Sequence, residues 1–307
     1  MVTTSSRRTS LRRLLAVVAL AVALLALATV SGRHAAASVA TDWVTTDRHL
    51  VIGGLERSYL MARPAQPRPG RLPVVIVLHG RDMTPARMQE DNVLPPGAHA
   101  IVVYPAGYGR SWNAGACCGP AHADRIDDVT FLAGLVRDVL AREPGASADA
   151  VFLVGYSNGG RMALRMACVD PGMFAAVAAI EAVSVFPCTH LAASVSLLMV
   201  ASRGDPLLVV EHGQTPRAVD GYTEPTVEDQ VAQWRELNSC PARASTRTAG
   251  TLMATSWADC SRNARVTFDL YQGGSHAIPP GDHWTPSAPQ ETWAFFHAVR
   301  PSVVAAS

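Results

Sequence analysis

Lysine is missing from this chain: all 26 basic residues are arginine, set against 25 acidic ones. Without a side-chain amine, a lysine Schiff base, a serine–lysine dyad and the phosphate-gripping lysine of a P-loop are excluded together. The near balance of charge leaves no basic footprint for nucleic acid. Metal ligands are equally scarce in pattern: there is no C-x-x-C spacing and no close pair of histidines, so neither a zinc site nor any other cofactor is expected. Internal repeats and long linkers are absent too. One catalytic domain is the economical division.

A single long apolar run exists, and it is an address rather than part of the fold. Arg7, Arg8, Arg12 and Arg13 form a basic start, Leu14 to Val30 is rich in Leu, Ala and Val, and Ala35-Ala36-Ala37 offers small residues for cleavage. Residues 1–37 therefore read as a signal peptide; an uncleaved membrane anchor is the competing reading. Ser6-Arg7-Arg8-Thr9-Ser10-Leu11-Arg12 is similar to a twin-arginine signal, yet Ser10 stands where a large apolar residue is preferred, so the export route stays open. No cysteine lies near the cleavage region, which argues against a lipid anchor. Residues 38–307 remain, mildly acidic because five arginines and no acid leave with the leader. That length suffices for one large α/β domain outside the cell.

All six cysteines lie beyond the leader: Cys117, Cys118, Cys168, Cys188, Cys240 and Cys260. An even number in an exported chain points to disulfides. Proximity suggests Cys168–Cys188 and Cys240–Cys260, each closing a loop of about 20 residues and contributing roughly 3 kcal/mol. Cys117 and Cys118 are left over, either bonded to each other or reduced.

Short apolar, β-branched runs recur along the chain. Residues 38–62 read as two or three short strands turning at Gly53-Gly54. Val74–Leu78 and Ala100–Tyr104 read as strands covered on both faces. Asp127 or Asp128 caps a helix to about Arg142. Strands follow at Ala150–Val154, Ala175–Ile180, Ser196–Ala201 and Arg265–Tyr271, with helices at Arg161–Ala167, Thr226–Asn238 and Gln290–Val299. This alternation predicts a mostly parallel, doubly wound sheet with helices on both faces.

Gly155-Tyr156-Ser157-Asn158-Gly159 falls between one of these strands and its helix. A G-x-S-x-G in that setting is a nucleophile elbow, which lifts a serine hydroxyl out of the sheet; the plain alternative is a Gly-rich helix start that holds an anion. A serine hydroxyl needs a base, and the base needs an orienting acid, in the chain order Ser, acid, His. Asp205 follows the Ser196–Ala201 strand, ahead of Glu211, Asp220 and Glu224 as alternatives. His276 follows the Arg265–Tyr271 strand through Gly273-Gly274-Ser275, with His283 as its rival. His79 precedes the serine and is assigned to shaping its own turn. The oxyanion hole would use the backbone N–H of Asn158 and that of Arg81, with Gly80 next. Trp112, Asn113 and Tyr156 are the candidates for touching substrate; a loop-anchoring role for Trp112 is the alternative.

Leu78-His79-Gly80, Tyr104-Pro105, Trp112-Asn113, Cys117-Cys118-Gly119, Asp127-Asp128-Val129, Gly155 to Gly160, Ala167-Cys168, Gly204-Asp205 and Gly273 to His276 together carry a resemblance. From about Leu60 to Phe296 the chain resembles the secreted esterases of the polyhydroxybutyrate depolymerase and feruloyl/acetylxylan esterase group. The resemblance implies an α/β-hydrolase fold with Ser157, Asp205 and His276 as triad. It further implies an acyl-enzyme route on esters of hydroxy or aromatic acids, with a small or oligomeric ester as partner. Where the family usually carries His-Gly before its acidic loop, this chain has Ser202-Arg203-Gly204. Ser275 and Ala277 also depart from the pattern around the histidine. Soluble oligomers and small esters are expected substrates ahead of solid polyester granules.

Overall fold

The computed structural model describes residues 43–91, 93–95, 97–280 and 286–299. The proposed signal peptide and the rival base His283 lie outside the described residues. Twelve strands are described: β1 (Trp43–Ile52), β2 (Leu55–Pro64), β3 (Leu72–Leu78), β4 (Ile101–Pro105), β5 (Ala146–Tyr156), β6 (Ala176–Ile180), β7 (Ser196–Ser202), β8 (Ala218–Val219), β9 (Tyr222–Thr223), β10 (Ser245–Ala249), β11 (Leu252–Trp257) and β12 (Val266–Tyr271). Ten of them form one sheet in the order β1-β2-β4-β3-β5-β6-β7-β12-β11-β10. Strands β4 to β12 in that order pair in parallel, while β1-β2 at one edge and β11-β10 at the other are antiparallel. The parallel centre is as expected. The antiparallel flanks are an addition, and at one of them β1 and β2 form a long hairpin through Gly53-Gly54 where two or three short strands were expected.

Helices α1 (Pro85–Glu90), α2 (Gly119–Ala123), α3 (Asp128–Arg142), α4 (Asn158–Val169), α5 (Val227–Leu237) and α6 (Ala288–Ala298) accompany the sheet. Strand period decides which core each residue enters. On β3, Val74, Ile76 and Leu78 pack with Phe131, Leu164 and Trp234 from α3, α4 and α5. Val75 and Val77 face the opposite layer, with Met88 of α1 and Phe296 of α6. That double coverage explains the uninterrupted apolar run of β3. Asp127 caps α3 by accepting the Thr130 N–H. Asp128 turns inward instead, pairing with Arg57 at 2.9 Å where both side chains are almost fully buried. Thr84 and Thr226 cap α1 and α5, and a Ser287/Gln290 capping box opens α6.

Disulfides join Cys168 to Cys188 and Cys240 to Cys260, the pairs that proximity suggested. Cys117 and Cys118 are bonded to each other. No helix among the described residues is long and apolar enough to cross a membrane.

One buried group works against the fold. Asp269 on β12 is 1% exposed, and neither carboxylate oxygen has a hydrogen-bond partner among the described residues. Burial and then the nearby Glu291 push its pKa up to about 8, against a weaker pull from Arg247. Unfolding restores an ordinary aspartate, so between about pH 4 and 8 the native state binds more protons and stability falls as pH rises. The slope from this one group is about 1.4 kcal/mol per pH unit in that window. Asp269→Asn, neutral throughout, should flatten it: melts from pH 5 to 8.5 should show the variant gaining on the parent steadily, and parallel curves would refute the assignment.

Candidate active site

The carboxyl ends of the parallel strands meet at one edge of the sheet, where ligands bind in folds of this kind. Here β3 delivers His79, β5 delivers Ser157, β6 delivers Glu181, β7 leads to Asp205 and β12 leads to His276. Ser157 adopts φ 53°, ψ −118°, a left-handed conformation that costs a non-glycine residue energy. Its N–H is tied to the Ile180 carbonyl at 2.9 Å, and its own carbonyl accepts the Arg161 N–H to begin α4. Such a turn leaves the hydroxyl projecting from the sheet.

The structure brings Ser157, His276 and Asp205 together. Ser157 Oγ lies 2.8 Å from His276 Nε2, and His276 Nδ1 lies 2.6 Å from Asp205 Oδ2. Asp205 Oδ1 accepts the Leu207 N–H at 2.7 Å. Burial by itself would raise the Asp205 carboxyl; hydrogen bonds from His276, Glu181 and the Leu207 N–H outweigh it and hold the group below the ordinary aspartate range. Tyr156 donates its hydroxyl to the His276 carbonyl at 2.7 Å, bracing the loop that carries the imidazole.

Neither the Asn158 N–H nor the Arg81 N–H finds an acceptor among the described residues. Both residues border the same cavity as Ser157 and His276, a space of about 180 Å³. Its remaining walls are the Cys117–Cys118 disulfide, Leu207, Leu208 and the β8–β9 turn, with Arg161 and Arg217 beside them.

Several expectations are corrected by these contacts. Trp112 is not at the mouth: it is fully buried, its Nε1–H donates to the His79 carbonyl at 2.9 Å, and its ring stacks on Phe131. Asn158 holds it in place by two hydrogen bonds from its side-chain amide, accepting the Trp112 N–H at 2.7 Å and donating to the Trp112 carbonyl at 3.0 Å. Asn113 is likewise an anchor, donating its side-chain amide to Ile126 and its N–H to Asp128. Tyr156 faces a neighbouring hollow with Met83 and Ile278 rather than the Ser157 cavity. His79 shapes its turn as expected. Its Nε2 accepts the Gly107 N–H, so Nδ1 carries the proton shared with the Gly80 carbonyl. Burial holds it neutral.

Arg161 has no role in the sequence-based reading of the site, and Glu224 enters it only as an alternative to Asp205. Arg161 follows Ser157 by one helical turn, approaches Cys117 Sγ at 3.1 Å and forms an ion pair with Glu224. The pair joins the elbow helix, the vicinal cysteines and the segment after β9 around one cavity. Glu224 is buried, which raises its carboxyl against the pull of Arg161.

Strand order, elbow and converging loops define an α/β-hydrolase fold. The family model named Esterase, with the description "Putative esterase", matches residues 56–240. "Putative esterase NocK" of Nocardia uniformis subsp. tsuyamanensis is 30% identical, over 78% of this chain and 76% of its own. "Probable feruloyl esterase C" of Aspergillus terreus is 25% identical, over 64% of each chain. Among solved structures, the acetyl xylan esterase from Aspergillus awamori is similar with a TM-score of 0.56 at 16% identity, covering 81% of this chain and 99% of that one. At that identity the likeness concerns the fold. The chain belongs to the Esterase family of the α/β-hydrolase superfamily.

Proposed function

We propose that the protein is an exported serine carboxylic ester hydrolase of the polyhydroxybutyrate depolymerase and feruloyl esterase type. The observation that carries this reading is the hydrogen-bonded chain from Ser157 through His276 to Asp205, opening onto a cavity that Asn158 and Arg81 also line. Ser157 Oγ attacks the ester carbonyl while His276 Nε2 takes its proton. Asp205 fixes the imidazole tautomer through Nδ1 and stabilises the imidazolium. The Asn158 and Arg81 N–H groups stabilise the tetrahedral oxyanion. His276 then protonates the leaving alcohol, and water repeats the sequence to release the acid and free Ser157. The basic, apolar leader and the three disulfides support action outside the cell.

The size of the cavity narrows the acyl group. About 180 Å³ falls below the range of pockets that enclose drug-sized ligands, roughly 300–1,000 Å³. A short hydroxyacyl or acetyl group fits that space better than a feruloyl group. On a panel of hydroxybutyrate oligomers, acetylated xylan and methyl ferulate, kcat/KM for the short-acyl esters should exceed that for methyl ferulate at least tenfold. A preference for methyl ferulate would overturn the assignment of acyl class.

A further inference from the structure

Glu181 stands immediately after β6, and its environment is unusual for a carboxylate. It is 1% exposed and adopts φ 49°, the left-handed region that a side chain disfavours. Its N–H is fixed by the Val200 carbonyl at 2.8 Å, so the main chain cannot relax freely. From the end of β7, Ser202 donates to the carboxyl twice: its hydroxyl reaches Oε1 at 2.5 Å and its N–H reaches Oε2 at 3.1 Å. The remaining neighbour is Asp205, whose carboxylate lies within hydrogen-bonding reach. The titratable groups that face Glu181 are thus Asp205 from the β7 loop, with His276 behind it, and Tyr156 from β5. No cation directly pairs with Glu181 among the described residues.

Two buried carboxyls in contact cannot both be ionised without a cation between them, so one keeps a proton. Asp205 has the better claim to the charge, because it accepts from the imidazole and from the Leu207 N–H. We propose that Glu181 is a neutral carboxylic acid whose O–H donates to Asp205, and that it is a positioning residue for the Asp205–His276 pair. Burial, with Asp205 alongside, moves the Glu181 pKa in the same direction, up to about 9. The proton gives Asp205 a third donor, fixes the plane of its carboxylate and shares its charge. Glu181 touches no substrate; it acts through Asp205.

This inference rests on the triad reading, which is tested separately by Ser157→Ala. Its own test compares Glu181→Gln with Glu181→Leu in the full chain, using p-nitrophenyl butyrate from pH 5 to 9. An amide is neutral and keeps a donor for Asp205, so Glu181→Gln should hold kcat within about threefold and leave the acid limb of kcat/KM in place. Leucine removes the donor: kcat should fall by about 30-fold or more with KM little changed, consistent with loss of a group acting in the transition state. The acid limb should also move upward, since the Asp205 charge is no longer shared. Equal losses in both variants, or a shifted limb in Glu181→Gln, would show that the residue works as a charge and would overturn the proposal. Full activity with an unshifted limb in Glu181→Leu would overturn it as well. Should the leucine variant fail to fold, infrared spectroscopy decides. A protonated-carboxyl C=O band present at pH 7 and lost in Glu181→Gln supports the proposal, and identical spectra refute it.

Discussion

Replacing Ser157 with alanine should cut kcat for a short p-nitrophenyl ester by about 10⁴-fold or more while leaving the melting temperature near that of the parent. The size of the effect follows from what the side chain does. In the proposed mechanism the hydroxyl forms the covalent bond to the acyl carbon, and at 2.8 Å from His276 Nε2 it is placed to give its proton to the base. No neighbour can replace it, because the chain has no lysine and every cysteine at the cavity is tied in a disulfide. His276→Ala should cost a similar factor, and the double variant little more than either alone, since nucleophile and base act as one unit. Residual turnover above the uncatalysed rate would come from the Asn158 and Arg81 donors. A Ser157→Ala enzyme with parental kcat would contradict the mechanism outright. Deletion of a partly exposed hydroxyl disturbs no packed core, so a large fall in melting temperature is not expected.

Gly159→Ala should be nearly as damaging to turnover, for a reason that is purely steric. A Cβ at Gly159 would stand 2.4 Å from the Leu78 carbonyl oxygen and 2.6 Å from that of His79. Both are backbone atoms of the central strand and the turn that follows it, so no side chain can swing aside. The helix carrying Asn158 must move away from β3, widening the gap between the two proposed oxyanion donors. Displacement of about 1 Å at a catalytic constellation can cost 10²-fold, and overpacking here should cost about 1–3 kcal/mol. At least a 100-fold loss in kcat/KM, with a melting temperature lower by about 5 °C, is the expected outcome. Gly172→Ala is the matched control. A Cβ there meets nothing within 4 Å, so activity and stability should both stay within the error of measurement. If Gly159→Ala behaves like Gly172→Ala, the elbow does not depend on this close approach.

The elbow was legible because its chemistry and its geometry are both local. Gly155, Ser157 and Gly159 lie within five residues, and the strand and helix that confer meaning on them are their immediate neighbours. Asp205 and His276 were legible through chain order and through the loops that end two parallel strands. Long-range pairing was not. Glu181 sits at the end of an apolar run, and only the register of β6 against β7 reveals that its carboxyl meets Ser202 and Asp205. Arg161 and Glu224 meet because the β8–β9 segment folds back over the elbow helix, which neither local sequence encodes. The β10–β11 hairpin escaped notice because β10 is polar and exposed along almost its whole length, giving none of the alternation that marks a half-buried strand. Trp112 shows the same limit at a single residue. An aromatic on a Gly-rich loop suits either a substrate wall or an anchor, and the amide of Asn158 decides for the anchor.

Covalent capture of the nucleophile puts the proposed role of Ser157 to the test. The protein is treated with a small fluorophosphonate, its intact mass is recorded, and the adduct is located by peptide mapping. One adduct per chain is expected, on Ser157, with loss of ester turnover in step with labelling and no adduct in Ser157→Ala. An adduct on another residue, or unimpaired turnover in fully labelled protein, would contradict that role.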